Sequence, residues 1–202
     1  MTTPDSAFQT LIAAAERGDI AAIRAQVAGS FDLRITDRFG ESVLAVVISN
    51  LEVVVDVPAP HRYEVVSALL ELSFDPNQLD SDRMGPLTEA MLAMDTEMLR
   101  LLLDAGARPN DASGFFPGDT LYEWAEIGYL FHVWNVNGVP EEEELSESDS
   151  ATVDNWLRWM DRMAIKYHRR RPDHLLLLRE RGAKTRQELI AQPDQNPHPS
   201  NP

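Results

Sequence analysis

Glu64-Val65-Val66-Ser67-Ala68-Leu69-Leu70-Glu71-Leu72-Ser73-Phe74-Asp75-Pro76-Asn77 returns, altered but in register, as Glu97-Met98-Leu99-Arg100-Leu101-Leu102-Leu103-Asp104-Ala105-Gly106-Ala107-Arg108-Pro109-Asn110. Each position of the second block lies 33 residues after its counterpart in the first. Upstream of these blocks runs a second series of short helical starts led by leucine: Leu11-Ile12-Ala13-Ala14-Ala15, Leu44-Ala45-Val46-Val47-Ile48, Leu87-Thr88-Glu89-Ala90-Met91 and Leu121-Tyr122-Glu123-Trp124-Ala125. Their leucines are 33, 43 and 34 residues apart. A period near 33 with two short helices per unit is the mark of a stacked helical solenoid. The small Ala13, Ala14 and Ala15 suit a close approach of antiparallel helices, and Leu101, Leu102 and Leu103 supply a wide apolar face for the next unit. Neither helix can bury its face alone, so neighbours must stack.

On these residues the chain resembles the ankyrin-repeat family. The family's unit runs from a turn with Asp and Gly through Thr-Pro-Leu-His, Ala-Ala and Gly to Glu-Val-Val, Leu-Leu-Leu, Gly-Ala-Asp and Asn. Gly106-Ala107 with Asn110, Gly182-Ala183, Gly18 and Gly128 stand at matching positions, as do Asp37 with Gly40 and Asp82 with Gly85 in the turns. The match covers residues 7 to 133 and 173 to 184. No repeat keeps the whole Thr-Pro-Leu-His; the nearest are Ser42-Val43-Leu44-Ala45 and Asp119-Thr120-Leu121-Tyr122, and the third repeat is two residues short before Leu87. The resemblance implies an all-α, ankyrin-type helical solenoid of about four repeats over residues 1–191, with an inserted helix in the last repeat. Thr120 with Glu123, and Thr185 with Glu188, have the spacing of capping boxes that open helices. Gly106 and Gly182 stand where a chain leaving a helix turns through a left-handed conformation.

The period locates two insertions. In the second repeat Leu51 takes the place of the inter-helix glycine and Glu64 falls ten residues late, so the apolar stretch 51–60 reads as a lengthened first helix and a loop, with a binding loop as the alternative. In the fourth repeat the acidic start of the second helix is delayed to Asp173, which makes 134–172 an insertion. It holds the acidic run Glu141-Glu142-Glu143-Glu144 and an amphipathic helix from about Val153 to Tyr167. Val153, Trp156, Leu157, Met160, Met163, Ala164 and Tyr167 form the apolar stripe of that helix, and Arg158, Arg162, Lys166 and Arg169 or Arg170 a basic one. Either the apolar stripe caps the last repeat, or the basic stripe and Trp159 face a partner. The segment 192–202, with four prolines and no large apolar residue, reads as a disordered tail.

Charge separates along the chain. The whole carries a net −15, but residues 1 to 153 hold 27 acidic and 8 basic side chains, a net −19, and residues 154 to 202 hold 6 acidic and 10 basic, a net +4. That balance argues against phosphate neutralisation, so no nucleic-acid partner is expected, and a charged partner should be basic. There is no cysteine, which removes disulfides, thiol nucleophiles and zinc-thiolate sites. No stretch approaches a membrane span and the start lacks a secretory pattern, so the expectation is a soluble, cytoplasmic protein without a membrane partner. Asp80, Asp82 and Gly85 imitate a calcium loop, but Met84 and Met91 stand where ligands are required. His61, His132, His168, His174 and His198 have no metal-ligand spacing, and no nucleophile elbow or phosphate-binding glycine loop occurs. No metal or other cofactor and no enzymatic activity are expected, an enzyme with its site in 134–172 being the least favoured reading.

Ankyrin-type solenoids bind proteins through turn tips and the first-helix face, so the resemblance implies a protein partner. The candidate contact residues are Arg38, Phe39 and Glu41 in one turn, Arg83 and Met84 in the next, and Phe115 and Phe116 in the third. Glu123 and Trp134 of the fourth unit and Trp159 of the inserted helix complete the set. Sixteen arginines to two lysines look like a bacterium with a GC-rich genome. Small acidic bacterial ankyrin proteins resemble immunity proteins encoded beside secreted toxins, many of them basic enzymes, so a cognate toxin is the first candidate partner. An adaptor or regulatory subunit without an inhibitory role is the alternative.

Overall fold

The computed structural model describes residues 4–29, 31–53, 61–112, 118–134 and 145–191. Among these residues the chain is all-α. Its helices are α1 (Pro4–Glu16), α2 (Ile20–Val27), α3 (Val43–Val53), α4 (Arg62–Glu71), α5 (Pro86–Leu92), α6 (Thr96–Asp104), α7 (Leu121–Trp134), α8 (Glu147–Ser150), α9 (Val153–Lys166), α10 (Asp173–Glu180) and α11 (Arg186–Ala191).

The starts and stops follow from local chemistry. Asp19 and Asp95 accept from the backbone amides of Ala22 and Met98 at 2.9 and 3.1 Å, satisfying donors that α2 and α6 leave open. Glu123 and Glu188 each accept from the backbone amide of the threonine three residues earlier, at 2.9 and 2.8 Å, and each threonine hydroxyl accepts in return at 3.3 Å, so both capping boxes form. Gly106 and Gly182 sit at φ 92° and 84°, and Ser73 holds the same place at φ 70°. After each, the next amide reaches back into its helix, from Phe74, Ala107 and Ala183 to the carbonyls of Leu69, Leu102 and Leu178.

The helices pack as two rows. α1, α3, α5 and α7 lie side by side in that order, α2, α4, α6 and α10 do likewise, and each member of the first row pairs with its counterpart in the second. The core lies between the rows. Leu11, Leu44, Leu87 and Leu121 from the first row are buried there with Ile23, Val65, Leu69, Leu99, Leu102, Leu175 and Leu178 from the second. α10 takes the second-row place beside α7 although 134–172 separates them in sequence, and α9 packs on α10. Two asparagines stitch successive units. Asn77 donates to the carbonyl of Gly106 at 3.1 Å and accepts from the amide of Arg108 at 2.8 Å. Asn110 does the same to Gly182 and Lys184, at 2.9 Å each. A largely buried pair, Arg62–Asp95 at 2.8 Å, ties the start of α4 to the start of α6, with the Tyr63 hydroxyl donating to the same carboxylate at 3.1 Å.

Two expectations need correction. Gly128 does not end a helix: it lies inside α7, which runs on to Trp134 because Tyr129 past it is fully buried and because α10 begins only at Asp173, so no turn is required there. Leu51 is a buried member of α3, which runs on to Val53 as the lengthened first helix expected there, while the rest of the 51–60 stretch beyond Val53 lies outside the described residues. In the second turn the equivalents of Asp37 and Gly40 are Asp80 and Arg83, not Asp82 and Gly85. Asp37 accepts from the amides of Phe39 and Glu41 at 2.8 and 2.9 Å, and Asp80 accepts from those of Asp82 and Met84 at the same distances. Gly40 and Arg83 supply the left-handed residue at φ 88° and 63°. Gly85 is extended and stands beneath the carbonyl of Gln78, where a Cβ would come within 2.8 Å.

Candidate protein-binding surface

The two Asp-led turns present their central residues to solvent. Phe39 is 66% exposed, with the Arg38 guanidinium 4.7 Å above its ring. That contact shields part of an aromatic that has no place in the core and leaves it available as an anchor. Arg83 is exposed and donates to the carbonyl of Asp111, and Met84 is half-buried. Phe115 and Phe116 lie outside the described residues, as does the run Glu141 to Glu144.

Beneath the turns, carboxylates gather. Burial pushes the Glu41 carboxyl above its ordinary range, and the negative charges of Asp37 and Asp80 push it further. Glu89 on α5 is raised by burial and then by Glu41 and Asp80, against a hydrogen bond from Ser49 of α3. Among the described residues none of these four carboxylates is in an ion pair. The turns fix this arrangement: the carboxylates of Asp37 and Asp80 are held by backbone amides of the loops they close, and α3 packs against α5. Further along the row Glu126 of α7 is also raised, by burial first and by Glu123, with the Trp156 indole N–H donating to it. The first row therefore carries partly desolvated negative charge over three successive units. Each such group is costlier to ionise alone than beside a cation.

Other expected contact residues have structural work instead. Glu123 closes the capping box of α7 and accepts from the amide of Arg186 at 3.1 Å. Trp134 is buried edge-on to Tyr167, and Trp159 is buried, stacked at 5.1 Å on Trp156. Neither indole is available to a partner; both fill the seam where α9 lies against the end of the rows. The apolar stripe of α9 is buried at Leu157, Met160, Met163 and Ala164, whereas Arg158, Arg162, Lys166 and Arg169 are exposed. Arg162 pairs with Asp149 of α8 at 2.7 Å, so part of the basic stripe is neutralised locally.

Sequence reasoning missed the feature that concentrates charge. Asp80 reads as part of a failed calcium pattern, and its pairing with Asp37 is hidden because Arg83 replaces the glycine of the first turn while Asp82 with Gly85 copies the Asp37–Gly40 spacing. Among the described residues no group of three or more carboxylates or histidines is arranged to hold a metal ion. His174 is buried against Tyr129, and burial with the nearby Arg170 cation holds its pKa down to about 4. Among the described residues no helix is long and apolar enough to cross a membrane. No protein-family model matches the chain, and no curated protein matches it.

Proposed function

We propose that this chain is an ankyrin-type scaffold that binds a basic protein, taking it on the Asp-led turns and the acidic first row. The observation that carries the reading is the four-carboxylate group Asp37, Glu41, Asp80 and Glu89, which is partly buried and, among the described residues, in no ion pair, beside the exposed Phe39. A lysine or arginine from a partner relieves the mutual repulsion, and the ring offers the apolar anchor that charge alone lacks. The ankyrin reading is supported by the two rows of helices and by the stitching of Asn77 and Asn110 at the repeat's own spacing. The narrower role, neutralising a basic secreted toxin, is supported by the resemblance to small acidic bacterial ankyrin proteins and by the −19 over residues 1 to 153.

The test uses the purified chain and the purified product of the gene beside its own. The expected result is a complex that weakens by about tenfold in the double variant Glu41→Gln/Glu89→Gln, the scale of one lost interfacial charge contact. A complex unaffected by that change places the contact elsewhere, and no complex at all removes the immunity role.

A further inference from the structure

α7 carries a glycine that the fold does not use. Counted from the buried leucines Leu87 and Leu121 that open the two helices, α5 stops at Leu92, the equivalent of Glu126, whereas α7 continues to Trp134. Beyond the end of α5, Ile127 is 56% and Phe131 58% exposed, and Leu92 itself is exposed. Glu123, Ile127 and Phe131 follow one another at four-residue spacing and form one ridge along α7. The neighbouring ridge reads Trp124, Gly128 and His132, so the glycine is a gap in it. A Cβ built at Gly128 meets nothing within 4 Å, and the residue has no left-handed φ that would call for glycine. Glycine inside a helix is unfavourable, and its ordinary justification is another backbone or ligand approaching closely. Here nothing within the described chain approaches.

We propose that the basic partner lays an amphipathic helix across this notch. Its apolar residues sit over Gly128 beside Ile127 and Phe131 and reach toward Leu92 of the neighbouring α5, and its lysines or arginines turn toward Glu41 and Glu89 of the acidic first row. The inference rests on the protein-binding reading above and adds the chemistry of the segment that is bound. Three large exposed apolar side chains beside carboxylates suit a segment that is both apolar and cationic. An acidic or purely polar segment satisfies only part of the surface. Helices pack by setting ridges into gaps, and a missing side chain in one ridge brings the two axes closer.

The experiment measures binding of the whole chain to two synthetic peptides of identical composition. One has leucines on one helical face and lysines on the other; the second has the same residues scrambled so that no face forms. The expected result is that the amphipathic peptide binds at least about tenfold tighter than the scrambled one. Gly128→Leu, which fills the notch, and Phe131→Ser should each remove about tenfold of that affinity. Gly128→Leu replaces a poor helix former on an open surface, so its melting temperature should stay equal or rise, which separates loss of binding from loss of fold. Equal binding of the two peptides, binding of neither, or an unchanged affinity in Gly128→Leu overturns the inference. Equal binding that salt abolishes does so while leaving the charge-led reading standing. Failure of that reading appears instead as no complex with the basic protein itself.

Discussion

Glu89 and Glu41 set two properties against each other. Their carboxyls lie above the ordinary range in the folded chain, so their protonated forms favour folding at low pH, and that stabilisation is lost as pH rises through the raised folded values. Ionising either works against its burial and against neighbouring carboxylates, Asp37 and Asp80 for Glu41, and Glu41 and Asp80 for Glu89. Glu89→Gln should therefore raise the melting temperature at pH 7 while weakening the partner, and a thermal melt beside a titration checks both. A variant that melts lower and binds as before contradicts the assignment. Asn110 makes two hydrogen bonds to the next turn, and Asn110→Ala should cost about 1–2 kcal/mol in urea unfolding. Ser73 stands at φ 70° where the later units have glycine, so Ser73→Gly should gain up to about 1 kcal/mol. Much at this scale was legible in the sequence: the capping threonines, Gly106 and Gly182 each do what their spacing implied. Asp80 was not, because Arg83 stands where the first turn has Gly40, and Asp82 with Gly85 copies the Asp37–Gly40 spacing two residues later.

At the scale of elements, the seam between α7 and α10 is sensitive to acid. His174 is buried there with its Nε2 unpartnered among the described residues, and its pKa is held down from the ordinary 6.5 to about 4. A lowered histidine contributes stability that is complete above 6.5 and is lost as pH falls toward about 4, since the unfolded chain takes up the proton first. The loss across that window should be roughly 2–3 kcal/mol, seen as a falling urea midpoint, and His174→Leu should flatten it. Persistence of the full slope in that variant contradicts the account. The Arg62–Asp95 pair joins α4 to α6, and Arg62→Leu should cost about 3 kcal/mol by stranding a buried carboxylate. The length of α7 escaped the sequence because Gly128 sits at the position of an inter-helix glycine. What overrides it is tertiary: Tyr129 is buried past it and hydrogen-bonds the carbonyl of Arg170 at 2.6 Å, so the helix continues. The burial of Trp159 escaped for a related reason, since it stacks on Trp156 rather than following the stripe that periodicity draws.

Over the whole molecule, the all-α class was legible in the sequence, and the described helices lie in two rows, α1, α3, α5 and α7 in one and α2, α4, α6 and α10 in the other. The proposed partner surface was legible only in part, at Phe39 and its turn, because exposure and mutual repulsion of carboxylates emerge only when separate turns and helices are brought side by side. The −19 over residues 1 to 153 and the +4 over the remainder give the molecule a strong electrical polarity. Arg162, Arg171 and Arg179 from the basic part are already paired with Asp149, Asp161 and Asp154, so the cations near α9 are partly spent on their own end. Among the described residues Asp37, Glu41, Asp80 and Glu89 are in no such pair. Charge-led binding of this kind is screened over about 8–10 Å at ordinary ionic strength. The most direct measurement is the dissociation constant of the complex with the neighbouring gene's product, taken across a series of salt concentrations. The account predicts a steady weakening, at least about tenfold between roughly 50 and 500 mM salt, driven by slower association. An affinity unchanged across that range contradicts it.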